Sequence, residues 1–548
     1  MFSDTSPLPD DPVELKKIIT KLAAETESLR HDYEAENKVL HERYESLRER
    51  YEEENELLRE QVRQLFDKLF GRKSEKLFGG SPQLLLFDMP EPDPETEPEE
   101  QIEVAAHRKS KPGRKPLPQN LPRVEVVHDI AEEEKQCECG AELSRIGEEV
   151  SEKLDIIPAV IRVIRHVRPQ YSCKSCEGVE DDGPTVRIAP VPPQIIPKGI
   201  ASGGLLAHVL TAKFEDALPF YRQEKQFTRL GVELNRATMC NWAMKAAEAC
   251  QPLLTLLQQD ILSGPLINVD ETTVQVLAEP GRSPTTKSYM WIFRGGDPHK
   301  PSLIYQYYPT RSGDVASAFL REYQGIVQTD GYVGYDFLDT LQGIKHLGCW
   351  AHVRRKFMDA QKARGKNIKK SGSVDVALSF IRKLYLLEKK GKARNLTPKQ
   401  LVGLRKDEAG PILEKFRVWL EKKSLQVVPK SLLGKAVSYT LSQWERLVKY
   451  VDNGVVTPDN NQAENSIRPF VIGRKNWLFA GTPEGASASA AIYSLIETAK
   501  NCGLDAYAYL RYLFENLPMA KTEDDYRELL PHNLTTEQLV LPRSFSVV

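Results

Sequence analysis

No stretch of this chain approaches the roughly 18 consecutive apolar residues that a membrane-spanning helix needs, so a transmembrane protein is not expected. The opening Met-Phe-Ser-Asp-Thr-Ser-Pro-Leu-Pro-Asp has neither a basic start nor an apolar core, which argues against a secretory leader and for the cytoplasm. An excess of basic charge is missing too: 75 Lys and Arg stand against 77 Asp and Glu, a formal net charge of −2. That total does not announce nucleic-acid binding, but it averages over opposite segments. Residues 91–100 are acidic and residues 107–115 are basic, and local patches decide phosphate contacts. Cysteine is scarce, eight in 548 residues, and in a cytosolic chain so few point to metal ligation or free thiols rather than disulfides. The length exceeds what one hydrophobic core serves, so three or more structural units are expected.

What the chain does have is three carboxylates in distinctive settings. Asp270 ends the run Leu-Ile-Asn-Val-Asp (266–270), and Asp330 closes Ile-Val-Gln-Thr-Asp (326–330). Both follow short β-branched runs bounded by turn residues, which is how buried strands end. Glu464 lies in Asp-Asn-Asn-Gln-Ala-Glu-Asn-Ser-Ile-Arg-Pro (459–469), a segment of helical spacing. Two strand-end aspartates and a helical glutamate can converge on a pair of hard cations, Mg²⁺ or Mn²⁺, which take oxygen ligands. Two such ions about 4 Å apart assist phosphodiester cleavage. A lone Asp at a strand end is more often a turn former or helix cap, so it is the combination that carries the reading.

The organisation reads as multidomain α+β. Residues 13–70 form one long helix with apolar or tolerated residues at Leu15, Ile19, Leu22, Thr26, Leu29 and Tyr33, and again at Leu40, Tyr44, Leu47, Tyr51, Leu58, Val62, Leu65 and Leu69. That alternation of three and four is a coiled-coil seam, which predicts a homo-oligomer; a solvated single helix is the alternative. Residues 80–124 are a Pro- and charge-rich linker in which Arg114 and Lys115 suit a minor groove or simply tether domains. In residues 125–190, Cys137-Glu-Cys139 and Cys173-Lys-Ser-Cys176 flank a β-rich stretch, the layout of a small zinc ribbon with structural Zn²⁺. Such a site contributes roughly 10–16 kcal/mol of folding free energy. Residues 200–262 are helical. Within them an apolar helix, a glycine turn and a polar-starting helix outline a helix-turn-helix, with Arg236, Thr238 and Asn241 facing a groove and Leu234, Met239 and Trp242 packing inward. Short helical pairs of this kind also occur in ordinary bundles.

From residue 264 the pattern turns strand-rich. Strands are expected at 266–272, 289–293, 302–308, 326–329 and 344–347, with a helix near 312–323. Residues 364–455 are Lys-rich and read as a helical insertion, residues 486–500 and 504–516 as closing helices, and residues 521–548 as a tail. On the Glu464 helix, Asn461 and Arg468 share its face, and Pro469 is expected to end that helix. Arg474, Lys475 and Trp477 follow, donors beside an aromatic that either stacks on a base or belongs to the core.

Three blocks are long enough to be specific: Thr-Asp-Gly-Tyr-Val-Gly-Tyr (329–335), Cys-Trp-Ala-His-Val-Arg-Arg-Lys-Phe (349–357), and the run from Asp459 to Gly481. They resemble the signature blocks of insertion-sequence 66 family transposases, from the N-terminal helix to about residue 520. The resemblance implies a ribonuclease-H-like α/β catalytic domain, split into 264–363 and 456–520 around the insertion. It places Asp270, Asp330 and Glu464 as the catalytic triad, with His352 of the Cys-x-x-His motif near the active site, or paired with Cys349 on a metal. Arg354, Arg355 and Lys356 would meet phosphates or form a solvated face. The family's zinc region is usually Cys-x-x-Cys; here the first pair is Cys-x-Cys, and Gln136 stands where the first cysteine would fall. The implied function is metal-dependent cleavage at transposon ends and strand transfer into target DNA, in a bacterial, nucleoid-associated setting with small accessory proteins. Two rivals are a catalytically silent, transposase-derived DNA-binding regulator and a junction-resolving nuclease. The intact triad counts against the first, and the stacked N-terminal modules against the second.

Overall fold

The computed structural model describes residues 11–70, 161–172, 186–364 and 372–539. Cys137, Cys139, Cys173, Cys176, Arg114 and Lys115 lie outside the described residues. Residues 161–172 and 186–190 belong to one compact unit, in which β1 (Gln170–Ser172) pairs antiparallel with β2 (Val186–Ile188). The remaining described residues form the other unit.

That larger unit begins with α1 (Pro12–Phe70), opened by the Asp11 carboxylate accepting from the Val13 amide at 3.1 Å. Its apolar row stays out of any core: Ile19, Leu22, Leu29, Tyr33, Leu40, Tyr44 and Tyr51 are all exposed. Four helices follow, α2 (Gly203–Phe214), α3 (Phe220–Arg229), α4 (Arg236–Ala249) and α5 (Gln251–Ser263). α3 and α4 pack on each other across a turn in which Gly231 takes φ +79°, a conformation that favours glycine. Asn235 caps α4 by accepting from the Thr238 amide at 2.8 Å.

The sheet comprises β3 (Leu266–Gln275), β4 (Lys287–Gly296), β5 (Pro301–Tyr308), β6 (Gly325–Gln328) and β7 (Ile344–Leu347), with α6 (Gly313–Phe319) between β5 and β6. The spatial order is β5-β4-β3-β6-β7; β3, β4 and β5 are antiparallel, while β6 and β7 run parallel to β3. Central β3 buries Ile267, Asn268 and Val269 in succession, the continuous burial of a strand covered on both faces.

Beyond β7 come α7 (Trp350–Arg364) and the insertion: α8 (Ser373–Ala393), α9 (Pro398–Leu404), a five-residue π-helical stretch, α10 (Gly410–Ser424), α11 (Leu432–Ser442) and α12 (Trp444–Val448). These build a second core around Trp350, Phe357, Phe416 and Trp444, to which β6 and β7 lend Ile326 and Leu347. Fully buried Arg405 clamps this region. It forks onto Glu388 at 2.8 and 2.6 Å and donates to the carbonyls of Tyr450, Asn453 and Val456.

The chain returns to the sheet through α13 (Asn461–Trp477), which packs on β3 and β4, and closes with α14 (Pro483–Asn501), α15 (Ala506–Asn516) and α16 (Glu523–Glu528). One expectation is corrected here. Pro469 does not end its helix: α13 runs on to Trp477. Proline forfeits one i→i−4 bond, but burial of Ile467 and Phe470 on either side and a Tyr305 hydroxyl donated to the Ser466 carbonyl hold the turn together.

Edge strand β5 would expose unpaired amides, and α14 covers them. Ser494 Oγ accepts from the Tyr305 amide at 2.8 Å and Thr498 Oγ1 from the Leu303 amide at 3.0 Å. Each hydroxyl in turn donates to a carbonyl one turn back, at 2.8 and 2.6 Å. Ser494→Ala or Thr498→Val strands a buried amide at little change in volume. Each should cost about 1–3 kcal/mol, read as a lower midpoint in denaturant unfolding.

Candidate active site

Asp270 lies in mid-β3, opposite Ile292 of β4. Asp330 comes two residues after β6, where its Oδ1 accepts from the Tyr332 amide at 2.9 Å and fixes the turn. Glu464 sits in the first turn of α13, and His352 in the first turn of α7. These separate elements converge. Burial pushes the Asp270 pKa well up, and the neighbouring charges of Glu271, Glu464 and Asp330 push it further.

Glu464 faces α7. One of its oxygens accepts from Arg355 Nη2 at 2.9 Å, and the other lies 3.5 Å from His352 Nδ1. Burial holds the His352 pKa down against the pull of Glu464. The Cys349 thiol completes this corner. Its sulfur accepts from the Asn460 amide at 3.2 Å, and its donor atom, that of His352 and that of Glu464 all lie within 4.8 Å of one another. Burial pushes the thiol pKa far up, so sulfur here is a neutral neighbour rather than a thiolate.

Glu271, on the other face of β3, is held by Arg311 at 2.6 Å and by the Tyr335 hydroxyl. Four carboxylates (270, 271, 330 and 464) thus stand near two guanidiniums (311 and 355). Glu464 Oε1 and His352 Nδ1 are buried without a hydrogen-bond partner among the described residues. Carboxylate oxygens, one of them orphaned, are donors that suit a hard divalent cation, and among the described residues the ligand atoms that lie together are those of Cys349, His352 and Glu464.

The remaining candidates are distributed differently. Arg236 and Asn241 are exposed on α4, with Thr238 half-buried, while Leu234, Met239 and Trp242 are buried. Arg354 is half-buried on α7, and Arg468 and Lys475 are exposed on α13. Arg474 turns back to β3, donating to Thr272 and Thr273 at 3.3 and 3.0 Å. Trp477 packs edge-to-face on Phe470 with the Lys213 ammonium near its ring, so its indole is on the core side.

Sequence reasoning missed several groups that shape this pocket. Tyr439 of α11 places its hydroxyl where a Cβ on Gly331 would have to go, so the insertion reaches the loop after Asp330 and glycine is required there. Buried His346 stands behind the same loop, with Nε2 2.9 Å from Thr329 Oγ1 and Nδ1 3.2 Å from Asp339 Oδ1. A row of buried amides lies beneath the carboxylates; its signal was visible as the repeated pattern amide-x-Asp in Asn-Val-Asp and Gln-Thr-Asp.

The family model described as "Transposase IS66 family" matches residues 198–488, just over half of the chain. Models for the "zinc-finger binding domain of transposase IS66", "Transposase C of IS166 homeodomain" and "IS66 C-terminal element" match residues 134–177, 57–126 and 494–532. Two relatives from Sinorhizobium fredii (strain NBRC 101917 / NGR234), both called uncharacterized, are y4jD and y4qI. The first is 33% identical over 77% of this chain and 82% of its own length, the second 31% over 78% and 80%. These domains are those of a transposase. The chain belongs to the IS66 transposase family. The zinc-finger match spans Cys137, Cys139, Cys173 and Cys176 and supports structural zinc. Among the described residues no helix is long and apolar enough to cross a membrane.

Burial, with the nearby charge of Arg446, pushes the His346 pKa down from 6.5 to about 4. Between those values the unfolded chain binds a proton that the folded one refuses, so stability should fall as pH drops from 6.5 to 4, by roughly 3 kcal/mol. Denaturant unfolding across that range checks this; in His346→Phe the slope should be shallower.

Proposed function

We propose that this chain is a DNA transposase in which Asp270, Asp330 and Glu464 hold two divalent cations, Mg²⁺ or Mn²⁺. The observation that carries the reading is the convergence of three carboxylates from β3, the end of β6 and α13, registered in the raised pKa of Asp270. The strand order, three antiparallel strands followed by two parallel ones, supports a ribonuclease-H-like domain with the insertion between its second aspartate and its glutamate. When bound, such an ion pair activates an attacking oxygen and stabilises the leaving one.

The reaction is hydrolysis at a transposon end, freeing a 3′-hydroxyl, followed by attack of that hydroxyl on target DNA. Arg355 neutralises Glu464. Were Glu464 to hold a cation, the Arg355 guanidinium beside it would be placed to take a phosphate oxygen. His352, beside Glu464, orients it and lends a polar contact to the reacting phosphate. Arg236, Thr238 and Asn241 at the start of α4 read DNA, and Arg354, Arg468 and Lys475 contact its backbone. Arg114 and Lys115 reach DNA from the linker. Cys137, Cys139, Cys173 and Cys176 ligate zinc. The exposed apolar row of α1 joins copies of the chain, and small accessory proteins assist.

Asp330→Asn and Glu464→Gln should each reduce end nicking and strand transfer to background, measured on labelled end DNA in Mg²⁺, Mn²⁺ and chelator. Thermal unfolding and end-DNA binding should stay close to wild type. Full joining activity in both variants would sink the assignment.

A further inference from the structure

Beneath the three carboxylates lies a second trio, of side-chain amides, all buried: Asn268, Gln328 and Asn460 are 1%, 0% and 1% exposed. Asn268 and Gln328 are register partners across the parallel β3–β6 ladder, and Arg294 faces Asn268 across the antiparallel one. Asn268 Nδ2 donates to both Gln328 Oε1 and Asn460 Oδ1, each at 3.0 Å, while Arg294 Nη1 approaches Asn268 Oδ1 at 3.5 Å. Asn460 Nδ2 donates to the Val269 carbonyl at 2.8 Å, just where the β3–β6 pairing stops. Gln328 Nε2 donates to the carbonyls of Thr457 and Gly348 at 2.9 and 3.3 Å. Every amide hydrogen of Asn268 and Gln328 therefore has an acceptor, and β3, β6 and the entry to α13 are joined by one polar network.

The placement of this trio repeats that of the carboxylates. Asn268 and Asp270 are two residues apart on β3 and so share one side of the sheet, and Gln328 ends β6 two residues before Asp330. Asn460 precedes Glu464 by one helical turn, and its carbonyl accepts from the Glu464 amide at 3.2 Å. Apolar side chains would fill this row and hold the sheet without any polar desolvation. Directional bonds do what packing does not: they fix the register of three elements against one another.

We propose that Asn268, Gln328 and Asn460 are positioning residues that set the spacing of Asp270, Asp330 and Glu464 for cation binding; this rests on the reading that those carboxylates hold the ions. The test is Mn²⁺ binding to the full-length, zinc-loaded chain, followed by electron paramagnetic resonance without DNA or turnover. The proteins compared are wild type, Asp330→Asn, Gln328→Met, Asn460→Ser and, as a remote destabilised control, Leu510→Ala in α15. Wild type should bind Mn²⁺ and Asp330→Asn should lose a site. Gln328→Met and Asn460→Ser should weaken binding about 10–100-fold, the range seen when groups behind metal ligands are removed. Leu510→Ala should keep wild-type affinity despite a lower melting temperature. Should Gln328→Met fail to fold, Asn460→Ser, which keeps a residue able to cap α13, carries the test. Wild-type affinity in a folded amide variant, or a loss in Leu510→Ala equal to theirs, overturns the inference. Equal Mn²⁺ binding by wild type and Asp330→Asn instead overturns the carboxylate assignment itself, and this inference with it.

Discussion

Asp270 stands on the central strand with Glu271 beside it and Asp330 and Glu464 close enough to raise its pKa, and like charges in a partly dry place repel more strongly than they would in water. The surroundings are arranged to keep them there. Glu271 is neutralised by Arg311 and its second oxygen is tied to Tyr335. Arg355 stands on Glu464. Asp270 and Asp330 each accept from one backbone amide, of Glu271 and Tyr332.

The insertion is part of that arrangement rather than an appendage. Its core takes Ile326 and Leu347 from the sheet. Trp350, the first residue of α7, donates its backbone amide to the Pro458 carbonyl at 3.0 Å and its indole N–H to the Leu447 carbonyl at 2.9 Å. Arg405 fastens the π-helical stretch to the segment 450–456 that leads into α13. Removing one partner of a buried charge pair leaves the other stranded, which makes this clamp costly to break. The segments carrying His352 and Glu464 are thus anchored to the same helical body.

Much of this was legible in the chain itself. The strand at 344–347 has its expected bounds, β6 lies one residue earlier than expected and the other three strands are longer, because β-branched runs ended by turn residues obey local rules. Asp330 follows its strand for the same reason, whereas Asp270, read as a strand end, lies in mid-strand because β3 continues to Gln275 in pairing with β4. Pro469 was misread because a local helix-breaking rule met a turn that Ile467, Phe470 and Tyr305 hold from outside. The amide-x-Asp repeat was legible on each strand, but the joining of the amides and the Arg355–Glu464 contact were hidden because their partners lie far apart in sequence. Residues 268 and 460 meet only through folding, and no periodicity encodes that meeting.

The hydroxyls of Ser494 and Thr498 bear on how copies of such a protein coexist. A sheet margin with open amides invites a neighbouring chain to add a strand, and crowding on one DNA segment would multiply such accidents. With Leu303 and Tyr305 already engaged by a helix of the same molecule, that margin is closed to zippering. Chains brought side by side can meet only through surfaces other than this one.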